Sequence, residues 1–218
     1  MISKEKLVKH TEAFLQETFY KSTVAREDPA GAAYRVEHSI RVANIGRIIA
    51  KKEGFDEAAM TIACLLHDIA YCQPLLTQEE RRNHGRTSAK MARAFLESLG
   101  LPETAINDIC YAITIHVDDE ADFQWERTAF SETVSDADNI DRFDVYRIYE
   151  NLNYAQFKSM SLSEKHTHVE SMLARLDKLR EMQLGTKTAT QMWQETLTYY
   201  IGFYQKLRDQ IAISGTIH

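Results

Sequence analysis

The chain has 218 residues, 44% hydrophobic and 27% charged, with only 8 Gly and 3 Pro. That length can bury a substantial core as one large domain or two small ones, and so few breakers point to a mostly helical protein. A formal net charge of −6 leaves no electrostatic footprint for stable, non-specific nucleic-acid binding.

The amino terminus, Met1-Ile2-Ser3-Lys4-Glu5-Lys6, has no hydrophobic region behind it, and no apolar run in the chain approaches a membrane span. Cys64, Cys72 and Cys110 are odd in number and lack CxxC spacing. They read as reduced thiols, and the expectation is a soluble cytoplasmic protein with no membrane partner. A first helix is expected from about Ser3 to Phe19 on the apolar positions Leu7, Phe14, Leu15 and Phe19, with His10 at the surface. Asp28-Pro29-Ala30-Gly31 is turn chemistry. Tyr34 to Val42 then leads into a helix that runs to Gly54, a natural stop, with Ile45, Ile48 and Ile49 continuing a buried stripe. His38, Arg41 and Ile45 share that face at i, i+3 and i+7. A lone inward histidine is usually a satisfied core residue; an arginine beside it is harder to explain without an anion.

Next comes Ala63-Cys64-Leu65-Leu66-His67-Asp68-Ile69-Ala70-Tyr71. Ile62, Leu65, Leu66 and Ile69 fall at helical spacing, and Asp56 can cap the helix with Glu57 in its first turn. An Asp carried on a buried helix needs a compensating charge, because desolvating a carboxylate is expensive. A divalent cation and a simple Asp–His hydrogen bond both supply one. Thr77-Gln78-Glu79-Glu80 has the pattern of a capping box. After Asn83-His84-Gly85-Arg86, a helix carried by Ala89, Ala92, Phe95, Leu96 and Leu99 ends at Gly100. The next places Ile106, Ile109, Ile113 and His116 on one side, so His116 closes it facing inward. Val117 to Arg127 is acidic and reads as a solvated loop, with a lid as the alternative.

From Ser131 the chain carries Asp136, Asp138, Asp141 and Asp144 within nine residues. On a helix Val134, Asp138 and Asp141 share a face, which turns Asp138 inward, while Asp136 and Asp144 are expected to be exposed. The remainder reads as structural: a Tyr-rich helix to about Met160, one from Ser163 through Leu179, and a last one after Gly185-Thr186. His166 and His168 are expected at the surface, and the aromatic stripe of the tail fits a core or a subunit interface, which leaves a homodimer open. No linker divides the chain. The expectation is one domain over 1–218, with a core at about 34–144 and carboxy-terminal helices at about 145–212 packed on it.

Taken together, His38-Ser39-Ile40-Arg41-Val42, Leu65-Leu66-His67-Asp68-Ile69, His84-Gly85 followed by Ser88-Ala89, and Asp136-Ala137-Asp138 followed by Ile140-Asp141 resemble the HD-domain superfamily of metal-dependent phosphohydrolases. The small stand-alone bacterial members are the most similar, and the resemblance runs from about residue 20 nearly to the end. It implies an all-α orthogonal helical bundle in which His38, His67, Asp68 and Asp138 bind a divalent metal ion. Two imidazoles and two carboxylates suit Mn²⁺, Mg²⁺, Fe²⁺, Ni²⁺ or Zn²⁺. Such an ion lowers the pKa of a bound water and polarises a phosphoryl oxygen, with Arg41, Arg86 and Arg142 as candidate phosphate-binding residues.

In binuclear members two further histidines bind a second ion bridged by the doublet's Asp; in mononuclear ones the equivalent positions bind substrate or transfer protons. His84 and His116 fit both, with a slight lean towards two ions per chain, and Asp68, His84 and His116 are the candidate catalytic residues. Ile69-Ala70-Tyr71 lacks the Lys of the cyclic-dinucleotide branch and the acidic pair of the alarmone branch, and Gly-Tyr-Pro is absent. The implied activity is hydrolysis of a phosphoester or phosphoanhydride of a nucleotide or other small phosphorylated molecule. A di-iron oxygenase on the same scaffold and a non-catalytic small-ligand-binding module are the alternatives.

Overall fold

The computed structural model describes residues 3–215; Met1 and Ile2, which open the amino-terminal stretch considered above, lie outside them. The described residues form α-helices and short 3-10 turns, with no strand among them. In chain order the helices are α1 (Lys4–Tyr20), α2 (Thr23–Glu27), α3 (Pro29–Glu53), α4 (Glu57–Leu66), α5 (Gln78–Arg82), α6 (His84–Ser98) and α7 (Glu103–Ile115). They continue with α8 (Ala129–Arg142), α9 (Val145–Tyr154), α10 (Leu162–Asp177) and α11 (Lys187–Ala212). The chain divides into two compact units, Met1–Asp138 and Asn139–His218, and the boundary falls inside α8. None of the helices among the described residues is long and apolar enough to cross a membrane.

In the first unit α3 packs on α4, α6 on α7, and α1 and α7 on α4. Helix α4 is the hub. Every residue from Met60 to Ala70 is buried, so the expected one-sided stripe is a helix enclosed on all sides. Leu15, Phe19, Val42, Ile62, Leu66, Ile69, Leu96, Ile109 and Ile113 join it in one apolar cluster, and Phe14 stacks on Phe95 with ring centroids 4.0 Å apart. Gly46 lets α3 approach closely, since a Cβ there would lie 2.5 Å from the Cys64 sulfur.

Local signals set most helix ends. The Thr77–Glu80 capping box is present in full, and Gly54 ends α3 in the left-handed region at φ 78°. The turn expected at Asp28-Pro29 is instead the start of α3: Asp28 accepts from the Gly31 amide at 2.9 Å, and Pro29 takes a first-turn position that needs no N–H. His38 therefore lies in the body of α3 rather than near its end.

Two burial expectations are corrected. Ile48 is 41% exposed, because it lies off the face defined by Val42, Ile45 and Ile49. Asp136 is buried, not exposed, because α8 is enclosed on more than one face; Ser131, Thr133, Val134, Ala137 and Asp138 are buried with it.

In the second unit α10 packs on α11 around Val169, Leu176, Trp193, Leu197, Ile201 and Tyr204. Phe143 meets Trp193 edge-on at 5.0 Å, and the Asn151 side-chain amide donates to the Tyr200 hydroxyl at 2.7 Å. His168 is half-buried rather than at the surface. It precedes Val169 on the face turned to α11, with its ring 6.4 Å from that of Tyr204.

The α4 cap yields a test. Asp56 accepts from the Ala58 and Ala59 amides at 3.0 and 3.2 Å and meets Lys4 at 2.9 Å. Asp56→Ala should lower unfolding stability by about 1 kcal/mol at neutral pH, nearly all from the cap, because the ion pair is exposed. Burial opposes the charge on Asp56, but Lys4 and the two amides outweigh it and hold the carboxyl below its ordinary 3.8. A depressed carboxyl stabilises above its unfolded value and loses that contribution as pH falls through its folded one. Urea titrations should thus show the full difference at pH 7 and pH 5, narrowing only below about pH 4.

Candidate metal centre

Six side chains expected from the sequence meet inside the first unit. His38 comes from the body of α3, His67 caps the carboxy-terminal end of α4, His84 begins α6, His116 caps the carboxy-terminal end of α7, and Asp138 lies on α8. Asp68 follows His67 at φ −107° and ψ 13°, where the helix gives way to the 3-10 turn Ile69–Cys72. That turn is pinned by the Ala70 amide, which donates to the buried Ser88 hydroxyl at 3.1 Å. The break lets the two adjacent side chains of the doublet reach one point.

Asp68 is the centre. Its Oδ2 lies 3.7 Å from His38 Nε2 and 3.8 Å from His67 Nε2, and its Oδ1 lies 3.0 Å from His84 Nε2 and 3.7 Å from His116 Nε2. Asp138 Oδ1 lies 3.2 Å from His38 Nε2 and 3.9 Å from His67 Nε2. Asp68 and His67 are almost wholly enclosed, with side-chain exposures of 6% and 0%.

The backbone fixes the tautomers. Nδ1 of His67 is 2.7 Å from the Cys64 carbonyl oxygen, Nδ1 of His116 is 2.6 Å from that of Ile113, and Nδ1 of His84 meets the Arg81 carbonyl in the same i−3 relation. A carbonyl only accepts, so each Nδ1 carries the hydrogen and each neutral ring turns an Nε2 lone pair inward. His84 Nε2 and His116 Nε2 then face each other at 3.1 Å beside Asp68 Oδ1. Acceptor faces acceptor, which only a proton or another cation resolves. His67 Nε2 is buried with no hydrogen-bond partner, an arrangement costly for a polar atom unless it ligates a cation. Two sets, His38 with His67 and Asp138, and His67 with Asp68 and His116, bring ligand atoms within 4.8 Å of one another. The residues fit a divalent cation.

The electrostatics agree. Burial lowers His67 to a pKa of about 4, so it is neutral at physiological pH. For His116 burial also opposes the charge, but the hydrogen bond and charge of Asp68, with Asp138, outweigh it and raise the imidazole. Burial likewise works to raise Asp68, yet His67, His116, His84 and Arg35 hold it well below the carboxylate range.

A close approach sets the second pair of histidines. A Cβ at Gly85 would lie 2.8 Å from the Thr114 carbonyl oxygen and 3.0 Å from that of Ile113, so only glycine lets the start of α6 touch the end of α7 there. One residue further, Arg86 grips Asp118 through both terminal nitrogens at 3.1 to 3.3 Å. The acidic loop is thus anchored at its start rather than solvated throughout, and Trp125 donates to Asp108 at 2.8 Å near its end.

The arginines divide. Arg86 is committed to Asp118. An open cavity of about 730 Å³ beside it is lined by two arginines, Arg82 and Arg86, and three carboxylates, Glu79, Asp118 and Glu120, a balance that does not favour an anion. Arg41 lies 5.9 Å from the Tyr34 ring centroid, and Arg142 is exposed at the end of α8 in the second unit. Sequence reasoning missed Arg35, whose Nη1 is 2.9 Å from Asp68 Oδ2 while its guanidinium carbon sits 3.6 Å from the Tyr71 ring centroid. The signal was present: Arg35 is three residues before His38, the spacing that singled out Arg41 three residues after it.

These assignments predict two titrations in protein stripped with a chelator. His116 should protonate above its ordinary 6.5, and His67 only near pH 4. A raised imidazole contributes stability that is complete below its unfolded value and fades as pH rises through its folded one. Histidine ¹⁵N NMR reads both, and a His67 that titrates near 6.5 contradicts the geometry.

The sequence matches the HD domain family over residues 35–146, a span that contains all six converging residues. No curated protein matches it at a significant level. Among solved structures, a predicted HD superfamily hydrolase from an uncultured Thermotogales bacterium aligns with a TM-score of 0.64 at 20% identity, covering 93% of this chain and 91% of its own. Bacillus subtilis YpgQ aligns with a TM-score of 0.64 at 18% identity over 98% and 99% of the two chains. YpgQ in complex with ADP gives 0.63 at 19% identity over 98% of each. These likenesses are of fold, and with the family match over more than half of the sequence they lead to one conclusion: the chain belongs to the HD-domain family.

Proposed function

We propose that the chain is a metal-dependent phosphohydrolase that cleaves a phosphoester or phosphoanhydride bond of a nucleotide or another small phosphorylated molecule. The observation that carries this reading is the buried convergence of ligand-type atoms, four imidazole Nε2 and the oxygens of Asp68 and Asp138, with an orphaned His67 Nε2 among them. His38, His67, Asp68 and Asp138 would hold a divalent cation such as Mn²⁺, Mg²⁺, Fe²⁺, Ni²⁺ or Zn²⁺. Such an ion lowers the pKa of a water ligand towards neutrality and polarises a phosphoryl oxygen.

The chain's own groups supply the rest. Asp68 presents one oxygen to each pair of histidines and so orients both. His116, whose proton affinity is raised by Asp68, is suited to hold a proton and release it to a leaving oxygen. His84 and His116 otherwise serve a second cation, which their facing lone pairs favour. Arg41, partly buried one turn from His38, stays a candidate for the phosphate, whereas Arg86 is held by Asp118. A nucleotide is the favoured substrate because YpgQ, of the same fold, is seen with ADP. The six-residue set equally suits a di-iron oxygenase, so activity must be measured under anaerobic conditions as well.

A nucleotide panel run with Mn²⁺, Ni²⁺ and Mg²⁺ should release phosphate or pyrophosphate without oxygen and stop on chelation. Asp68→Ala should lose both metal and activity; wild-type metal occupancy in that variant would contradict the assignment. The double variant His84→Ala, His116→Ala separates the roles of the second pair. A second cation predicts a fall from about two ions per chain to about one, with each single variant nearly as inactive as the double. Unchanged stoichiometry with partial activity in each single variant assigns them to substrate or proton transfer.

A further inference from the structure

We propose that Arg35 is a phosphate-binding residue of this site, held flat on Tyr71 beside Asp68, and that its charge competes with a divalent cation for the Asp68 carboxylate. The proposal rests on the phosphohydrolase reading and adds to it a residue and a coupling.

Arg35 sits on α3 one turn before His38, with its side chain 32% exposed while that of Asp68 is 6% exposed. The guanidinium therefore spans from the enclosed ligand set to solvent. Only Asp68 accepts a hydrogen bond from it among the described residues, through one nitrogen at 2.9 Å, so the rest of a five-donor fork is available. The contact at 3.6 Å with the Tyr71 ring fixes the plane of that fork, and Tyr71 is itself 4.9 Å from the His84 ring. A planar, preorganised guanidinium loses little freedom on gripping two phosphate oxygens.

Without a bound cation Arg35 offsets the charge of Asp68, because the imidazoles around it, His84 Nε2 at 3.0 Å and three more within 3.8 Å, turn ligand nitrogens rather than fixed charge towards it. A fixed positive charge on Asp68 Oδ2 weakens the site for a cation that must use the same oxygen. It would become useful once an anion arrives: with Asp68 engaged by a cation, Arg35 would be free to turn its fork to a phosphate oxygen. Cation and phosphate then bind cooperatively, each relieving what opposes the other.

The test uses the full chain, with Mn²⁺ and inorganic phosphate as probes and calorimetry as the readout. Arg35→Gln should bind Mn²⁺ about three- to tenfold more tightly than wild type, because a competing charge is gone. The Mn²⁺-saturated variant should bind inorganic phosphate about tenfold more weakly, because the charged fork is gone. Arg35→Lys should keep the wild-type Mn²⁺ affinity and still bind phosphate several-fold more weakly, since it retains the charge without the fork. Weaker Mn²⁺ binding in Arg35→Gln would make Arg35 a brace for Asp68 and overturn the proposal, as would wild-type phosphate affinity in either variant. Should the Gln variant melt early, the phosphate affinity of the Lys variant decides. A wild-type protein that binds neither Mn²⁺ nor phosphate sinks the phosphohydrolase reading itself. One that binds both, with variants unchanged, sinks only Arg35.

Discussion

A carboxylate held out of water in the middle of four imidazoles is the constraint on which the first unit turns. Asp68 cannot remain ionised there without positive charge close by: Arg35 supplies it on Oδ2, and the imidazole nitrogens around both oxygens are placed to share a cation. From Met60 onward helix α4 is buried on every side, so the doublet at its end is carried into the interior whatever its own polarity. Two of the four histidines cap the carboxy-terminal ends of α4 and α7, where the helix dipole is negative. Those ends add to the field of Asp68 and Asp138, and the interior of this unit attracts cations although it is mostly hydrocarbon.

The same ends explain how the imidazoles hold still. A histidine just past a helix can return its Nδ1 hydrogen to the carbonyl three residues back, a group the helix leaves unsatisfied. His67, His84 and His116 all do so. One bond thus completes a backbone acceptor, selects a tautomer and aims the opposite nitrogen. The site needs few additional supporting residues because the termini themselves provide the support.

Helical phase made much of this legible. His67, His116 and Asp138 share faces with Cys64, Ile113 and Val134, and burial of those apolar neighbours carried the polar ones inward. Where phase alone was insufficient, the sequence misled. Asp136 was assigned to solvent because one buried stripe was assumed for α8, which is enclosed on more than one face. Asp28-Pro29 read as a turn since an N-cap and a turn use the same residues, and only the following amides distinguish them. The grip of Arg86 on Asp118 joins positions 32 apart, which no local pattern encodes. Arg35 was within reach of the spacing argument, but its partner Asp68 is 33 residues away, and nothing in the sequence chose between it and Arg41.

The absent side chain at Gly85 has a mechanical meaning. Where α6 meets α7 the limit on approach is the van der Waals wall of the Thr114 and Ile113 carbonyl oxygens, one of which also receives the His116 hydrogen. Repulsion of that kind rises so steeply that the surfaces behave as a hard stop. A separation set by attraction, as between Arg86 and Asp118, stretches as salt screens it. One set by contact has no such dependence. The gauge between His84 and His116 is therefore cut into the backbone, and whatever sits between the two rings has to fit it, since it has little means of adjusting.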